Sequence, residues 1–136
     1  MGDILALDIG GSKLVCGAVS PDGGILLSVR TALPEKYTIP ELRSIILSAC
    51  LKILSEHPCS ACGIAIPGLA DSKTGTWVYA PYSGISDFKI ADELAREIHM
   101  PVFVENDVNA CAVGERRFGA CRDADDFLWI TVSNGI

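Results

Sequence analysis

Three short stretches of this 136-residue chain contain the residue types that bind and activate small substrates. The first, residues 8–13, reads Asp-Ile-Gly-Gly-Ser-Lys and lies between two apolar runs. Its two glycines can expose backbone N–H groups, Ser12 adds a hydroxyl and Lys13 a positive charge, while Asp8 supplies a carboxylate. These groups could hold a phosphate and a divalent cation. The alternative is an ordinary hairpin with Gly-Gly at its bend.

The second and third stretches are Pro67-Gly68 and Glu105-Asn106-Asp107. Gly68 allows close approach of the backbone, and Asp107 could accept a proton from a polyol hydroxyl while Asn106 binds a neighbouring hydroxyl. A helix predicted to begin here favours the charged form of Asp107 through its dipole. The alternative is a structural role only, in which Asn106 or Asp107 caps that helix.

Periodicity predicts the elements that must position these residues. Strands over 4–9, 13–19 and 25–31 form an antiparallel meander, and a helix begins after Thr38 and ends at His57-Pro58. Further elements are strands over 63–66, 76–79, 101–104 and 127–132, helices over 89–99 and from 107 to about 118, and a loop over 80–87. This order predicts a mixed α/β sheet with helices on its faces, so loops at the carboxyl ends of adjacent strands should converge.

Composition excludes several classes of protein. A net charge of −6, with only Arg116-Arg117 as a basic cluster, argues against a nucleic-acid surface. No apolar run approaches the roughly 20 residues that span a bilayer, and no secretory signal is visible, so we expect a cytoplasmic protein without membrane contact. Most of the six cysteines lie in apolar runs and are interpreted as buried thiols, and the Cys59/Cys62 spacing is not matched by a second pair.

Four motifs resemble, in order and rough spacing, those of the ROK family of repressors, open reading frames and kinases. They are Asp8-Ile9-Gly10-Gly11-Ser12-Lys13, Gly63-Ile64-Ala65-Ile66-Pro67-Gly68, Glu105-Asn106-Asp107-Val108-Asn109-Ala110 and Ile130-Thr131-Val132-Ser133-Asn134-Gly135-Ile136. The family belongs to the actin-like/sugar-kinase ATPase superfamily, whose fold is a pair of ribonuclease-H-like domains around a cleft. The resemblance covers residues 1–136 but only the N-terminal domain, so we expect the C-terminal domain to be absent from this chain. We expect a mixed five-stranded sheet and, in the full-length protein, a homodimer.

The resemblance implies ATP-dependent phosphorylation of a hexose or N-acetyl amino sugar, and it assigns roles to individual residues. Asp8 would help place Mg²⁺ through a water molecule, and Asp107 would be the base. Asn106, Asp107 and Gly68 would contact the sugar. The ATP phosphates would meet two loops, formed by Gly10, Gly11, Ser12, Lys13 and by Ser133, Asn134, Gly135.

Departures from the family pattern occur at three places. Ser12 replaces a threonine, which preserves the hydroxyl. The second phosphate loop reads Ser133-Asn134-Gly135-Ile136 instead of Gly-Thr-Gly-Ile, and Tyr82 stands where an asparagine commonly touches the sugar. The family's structural zinc site lies in the second half of the protein, and Cys59 and Cys62 do not match it.

Three functions are compatible with these motifs. The first is a sugar kinase of which this isolated domain is inactive. The second is a ROK-type sugar-sensing regulator without its DNA-binding segment, although the first predicted strand begins near Ile4 and leaves no room for such a segment. The third is an actin-like ATPase with no sugar substrate, against which the Asn106-Asp107 pair argues.

Overall fold

The fold contains three helices and eight strands within residues 2–132, the part of the chain that this computed structural model describes. In chain order the elements are β1 (Ile4–Ile9), β2 (Lys13–Val19), β3 (Ile25–Ala32), α1 (Ile39–Glu56), β4 (Ala61–Ile66), β5 (Leu69–Asp71), β6 (Thr76–Ala80), β7 (Ile85–Phe88), α2 (Ile90–Ile98), β8 (Val102–Asn106) and α3 (Asp107–Phe118). The predicted meander and all three predicted helices are confirmed to within a few residues.

The main sheet has five strands in the order β3-β2-β1-β4-β8. Strands β1, β2 and β3 pair antiparallel, whereas β1 pairs parallel with β4 and β4 parallel with β8. The predicted mixed five-stranded α/β sheet is therefore confirmed. Because β1, β4 and β8 run in the same direction, their carboxyl ends lie at one edge of the sheet.

The core lies between this sheet and the helices. Alternate residues of β1 are buried, among them Leu5 and Ile9, as the period-2 pattern of a strand requires. Helix α1 buries one stripe at helical spacing, which includes Leu42, Ile46 and Ile53. Three of the six cysteines, Cys16, Cys50 and Cys62, are fully buried in this core, so the prediction of buried thiols holds for half of them. Cys59 and Cys121 are half-buried, and Cys111 is exposed.

A capping box starts α1 where the sequence predicted it. The Thr38 side chain accepts a hydrogen bond from the backbone N–H of Glu41, and the Glu41 carboxylate accepts one from the backbone N–H of Thr38 at 2.7 Å. Two N–H groups that the helix cannot satisfy are paired in this way.

A second, three-stranded sheet, β5-β6-β7, was not predicted, and the predicted loop over 80–87 is wrong in its second half. Turn residues occupy only positions 81–84, and β7 begins at Ile85. Ile85 and Phe88 are buried and lie opposite Ala80 and Trp77 in the register with β6. A four-residue strand shows too few alternations for a period-2 pattern to stand out.

The predicted strand over 127–132 is also wrong, because these residues form no ladder within the described part of the chain. Their apolar side chains are largely exposed, with Leu128 at 81% and Ile130 at 70%. An apolar run becomes a strand only when a neighbouring strand pairs with it and a second layer covers it. Among residues 2–132 no helix is long and apolar enough to cross a membrane.

Candidate functional site

The three stretches predicted to converge do meet at one edge of the main sheet. The glycine turn follows β1, Pro67-Gly68 follows β4, and Asp107 follows β8. Asp8 lies in register with Ala65, and Ala65 with Glu105, so the three residues form one row across parallel strands. At about 4.8 Å between neighbouring strands, the strands that carry Asp8 and Glu105 are about 10 Å apart. The edge therefore brings these residues within about 10 Å of one another along the sheet.

The glycine turn joins β1 to β2 as a hairpin, so the hairpin alternative describes its backbone correctly. The Gly10 N–H donates to the Lys13 carbonyl at 2.8 Å, and the Ser12 carbonyl accepts from the Leu33 N–H at 2.9 Å. Gly11, Ser12 and Lys13 are exposed, and a Cβ added at Gly11 would meet no atom within 4 Å. The Gly10 N–H is thus used inside the turn, while the following three residues face open space that a phosphate could occupy.

The Pro67-Gly68 loop requires glycine for two reasons. Gly68 has φ +83°, and a Cβ there would lie 2.2 Å from the Tyr79 carbonyl oxygen of β6. The loop is also held by two side chains, since the indole N–H of Trp77 donates to the Pro67 carbonyl and the amide of Asn106 donates to the Gly68 carbonyl, both at 2.9 Å. Its backbone is fixed from both sides.

Asn106 is the N-cap of α3, so the capping alternative is confirmed for this residue. Its Oδ1 accepts hydrogen bonds from the backbone N–H groups of Val108 and Asn109, at 3.0 and 3.2 Å. Its Nδ2 donates to Gly68 and to the Asp107 carboxylate. Both amide hydrogens of Asn106 and both acceptor positions on its Oδ1 are therefore used within the protein. Direct binding of a sugar hydroxyl by Asn106 stays a prediction, and it would require one of these bonds to be exchanged.

Asp107 is the first residue of α3 and is half-buried. Its Oδ1 accepts the Val108 N–H at 2.9 Å and the Asn106 amide at 3.1 Å. Within residues 2–132 no hydrogen bond uses Oδ2, so this oxygen is available to a ligand. The positive end of the helix dipole stabilises a negative charge at this position.

Cys111 lies one helical turn beyond Asp107 in α3. Burial raises the pKa of the Cys111 thiol, and the negative charges of Asp107 and then Asp8 raise it further. A thiolate is disfavoured near like charges, so both carboxylates oppose ionisation of this thiol.

Asp8 carries the donor type that suits a hydrated Mg²⁺ ion. Among the described residues, no three His, Cys, Asp or Glu side chains are grouped so as to hold a metal alone. Mg²⁺ is usually bound by one or two carboxylates together with waters and substrate phosphates. The exposed carboxylate of Asp8 beside the glycine turn fits that pattern. The predicted second phosphate loop, Ser133, Asn134 and Gly135, lies outside the described residues.

Sequence reasoning assigned no role to two residues that build the site. Trp77 reaches the Pro67 carbonyl from the second sheet, and the Glu105 carboxylate accepts the Asn106 N–H at 2.8 Å and the Asn109 amide at 3.1 Å. The signal for Trp77 was available, because a buried indole N–H nearly always finds an acceptor. Which acceptor it finds depends on the second sheet, which the sequence pattern did not predict.

Comparisons with known proteins agree with the resemblance to the ROK family. A family model described as the ROK family matches residues 4–136. A glucokinase of Thermotoga maritima is 33% identical over 135 residues, which is 98% of this chain and 42% of the relative. A xylose repressor of Bacillus subtilis is 38% identical over 74 residues, which is 54% of this chain and 19% of that protein. The chain spans about two fifths of the length of the glucokinase it matches.

The fold agrees as well. The crystal structure of a ROK family glucokinase from Streptomyces griseus, in complex with glucose and AMPPNP, superposes with a TM-score of 0.80 and 34% identity. The alignment covers 88% of this chain and 38% of that structure. The described residues thus have the α/β fold of the actin-like ATPases.

Proposed function

Because the chain belongs to the ROK family, we propose that it is the N-terminal domain, residues 1–136, of a longer ATP-dependent sugar kinase. The sugar is a hexose or an N-acetyl amino sugar, and the γ-phosphoryl group of ATP passes to one of its hydroxyls. The kinase names of the relatives that match nearly the whole chain support this proposal. A complete protein of this kind would supply the rest of the cleft from a second domain.

One observation carries the proposal: Asp8 and Asp107 both lie at the carboxyl edge of β1, β4 and β8, where Asp8 is in register with Ala65 and Ala65 with Glu105. A kinase needs a base for the attacking hydroxyl and, nearby, a place for the metal-bound phosphate. Asp107 has the chemistry of the base, and Asp8 has that of a ligand for the metal. The exposed turn of Gly11, Ser12 and Lys13 borders the same edge and offers N–H, hydroxyl and ammonium donors.

In the proposed reaction, Oδ2 of Asp107 accepts the proton of the sugar hydroxyl as the hydroxyl oxygen forms a bond to the γ-phosphorus. The bond from that phosphorus to the β,γ-bridging oxygen breaks, and ADP leaves with the bonding electrons. Lys13 and the donors of the turn neutralise charge on the transferring group, where Mg²⁺ bound near Asp8 would add its own charge. Oδ1 of Asp107 stays bound to the Val108 N–H, which fixes the direction of Oδ2.

A sugar-sensing regulator is the second candidate, and one specific observation favours it. The xylose repressor of Bacillus subtilis matches just over half of the chain at a higher identity than the glucokinase does. A regulator needs the sugar-binding residues but not turnover. The two candidates therefore differ in the phosphorylated product and agree in sugar binding. An actin-like ATPase without a sugar substrate would show neither.

The test uses the complete protein that contains this chain and a panel of hexoses and N-acetyl amino sugars. Isothermal titration measures sugar affinity, and a coupled ADP assay with product analysis measures phosphorylation. We expect at least one sugar to be bound and phosphorylated in the presence of ATP and Mg²⁺. Sugar binding without phosphate transfer would identify a regulator, and ATP hydrolysis without sugar binding would identify an actin-like ATPase. The 136-residue chain alone should show no turnover, so sustained phosphorylation by it would contradict the proposed two-domain site.

A further inference from the structure

Two side-chain hydrogen bonds from different parts of the chain meet at the Pro67-Gly68 loop. Trp77, the second residue of β6, donates its indole N–H to the Pro67 carbonyl at 2.9 Å. Asn106, at the end of β8, donates its amide to the next carbonyl, that of Gly68, also at 2.9 Å. We call this pair of bonds the loop clamp.

Trp77 is held rigidly enough to act as the fixed side of the clamp. Its side chain is fully buried, and it lies opposite Ala70 of β5 and Phe88 of β7. The indole N–H is a donor only, and an unmatched buried donor is costly. The bond to Pro67 is therefore part of what fixes the second sheet against the edge of the main sheet.

The clamp continues to the proposed base. The Nδ2 group of Asn106 that holds Gly68 also donates to Oδ1 of Asp107, at 3.1 Å. A continuous path runs from the Trp77 indole through the Pro67-Gly68 backbone and the Asn106 amide to the Asp107 carboxylate. Movement of the loop would release one Asn106 donor and change the hydrogen bonding that sets the rotamer of Asp107.

We propose that Trp77 is a positioning residue, which fixes the Pro67-Gly68 loop and, through Asn106, the orientation of the Asp107 carboxylate. This inference rests on the proposed sugar-kinase function. Trp77 is fully buried, so it acts through the backbone it holds. Small displacements of reacting groups have large effects on rate, so loss of the indole N–H should matter more for the sugar than for the nucleotide.

The test compares Trp77→Phe with Phe88→Leu in the complete protein. Trp77→Phe keeps an aromatic ring but removes the donor. Phe88→Leu is the matched control, because Phe88 is equally buried and lies directly opposite Trp77, but its ring donates no hydrogen bond. Both variants lose core contacts, and only one loses the clamp.

Hydrogen–deuterium exchange and kinetics provide two separate readouts. We expect Trp77→Phe to accelerate exchange in segments 66–70 and 105–109, to raise the KM for the sugar, and to lower kcat/KM for the sugar about 10- to 100-fold, with the KM for ATP unchanged. Phe88→Leu should change neither the exchange in these segments nor the KM for the sugar. A variant that only lost stability would reduce the active fraction and leave both KM values as they are.

The inference is overturned if Trp77→Phe matches Phe88→Leu in both readouts, or if exchange accelerates while the KM for the sugar and kcat do not change. Failure of the proposed function looks different. In that case the wild-type protein phosphorylates no sugar, whereas the exchange difference between the two variants persists. The inference about positioning then falls with the function, and the clamp remains as a purely structural contact.

Discussion

Replacement of glycine by alanine at positions 68, 84 and 11 separates the cost of backbone strain from the cost of steric overlap at Gly68. Gly68 combines φ +83° with a Cβ position 2.2 Å from the Tyr79 carbonyl oxygen. Gly84 has φ +68°, but a Cβ there would meet nothing within 4 Å. Gly11 has neither a positive φ nor a close neighbour. The three substitutions add the same methyl group in three different environments.

The expected losses of unfolding free energy follow from this geometry. A left-handed alanine costs about 1–2 kcal/mol, which is the whole expected effect at Gly84. At Gly68 ordinary contact begins at 3.4 Å, so the atoms must separate by about 1.2 Å, and overpacking of that kind adds about 1–3 kcal/mol. Gly68→Ala should therefore cost about 2–5 kcal/mol, and Gly11→Ala should stay within about 0.5 kcal/mol of the wild type.

Urea denaturation of the 136-residue chain measures these differences, provided that the m-value is the same in all four proteins. The expected order of stability is wild type and Gly11→Ala together, then Gly84→Ala, then Gly68→Ala. If Gly68→Ala is no less stable than Gly84→Ala, the overlap with Tyr79 does not exist in solution. If Gly11→Ala loses as much as Gly68→Ala, the argument that positive φ and the overlap with Tyr79 make glycine necessary at position 68 is wrong.

Two further predictions concern charge. Asp107→Asn and Asp8→Asn should each lower the raised pKa of Cys111, because each removes a negative charge near its thiol. Alkylation of Cys111 at about pH 8 should therefore become faster. Peptide mass spectrometry measures this rate, with the remaining cysteines as internal controls. An unchanged rate in both variants would mean that neither carboxylate acts on this thiol. In the capping box, hydrogen bonds from the Thr38 backbone N–H and then from its hydroxyl lower the pKa of Glu41 below its ordinary value of 4.5. The contribution of Glu41 to stability is therefore present above pH 4.5, and it is lost as the pH falls through the lower pKa of the folded state. The difference in thermal midpoint between wild type and Glu41→Gln should therefore shrink between about pH 6 and pH 3, and a difference that grows on acidification would contradict the capping box.

Local chemistry made much of the fold predictable from the sequence. The Thr38 and Glu41 pair specified the start of α1, and the short turns between the first three runs specified the meander. The direction of β1, β4 and β8 then brought Asp8, Gly68 and Asp107 to one edge, which is a consequence of topology rather than of any single residue. The individual elements were predictable because neighbouring residues determine them, and the meeting of the three loops followed from the order of those elements.

The remainder depended on contacts between residues distant in the sequence. The short strand β7 was missed because its pairing with β6, not its own pattern, makes it a strand. The predicted strand over 127–132 had the right composition but has no partner within the described residues. The Trp77 contact with Pro67 could not be predicted before the second sheet was known, and the dual role of Asn106 as cap and clamp emerged only from the geometry.

The central claim, that Asp107 is the base of a sugar kinase, is tested most directly by Asp107→Asn in the complete protein. The amide keeps an Oδ1 that can accept the Val108 N–H, so the start of α3 should be preserved. We expect kcat for sugar phosphorylation to fall at least about 10²–10⁴-fold, the range of general-base catalysis, while the dissociation constant of the sugar measured by isothermal titration changes little. Turnover at the wild-type rate would contradict the assignment of Asp107 as the base.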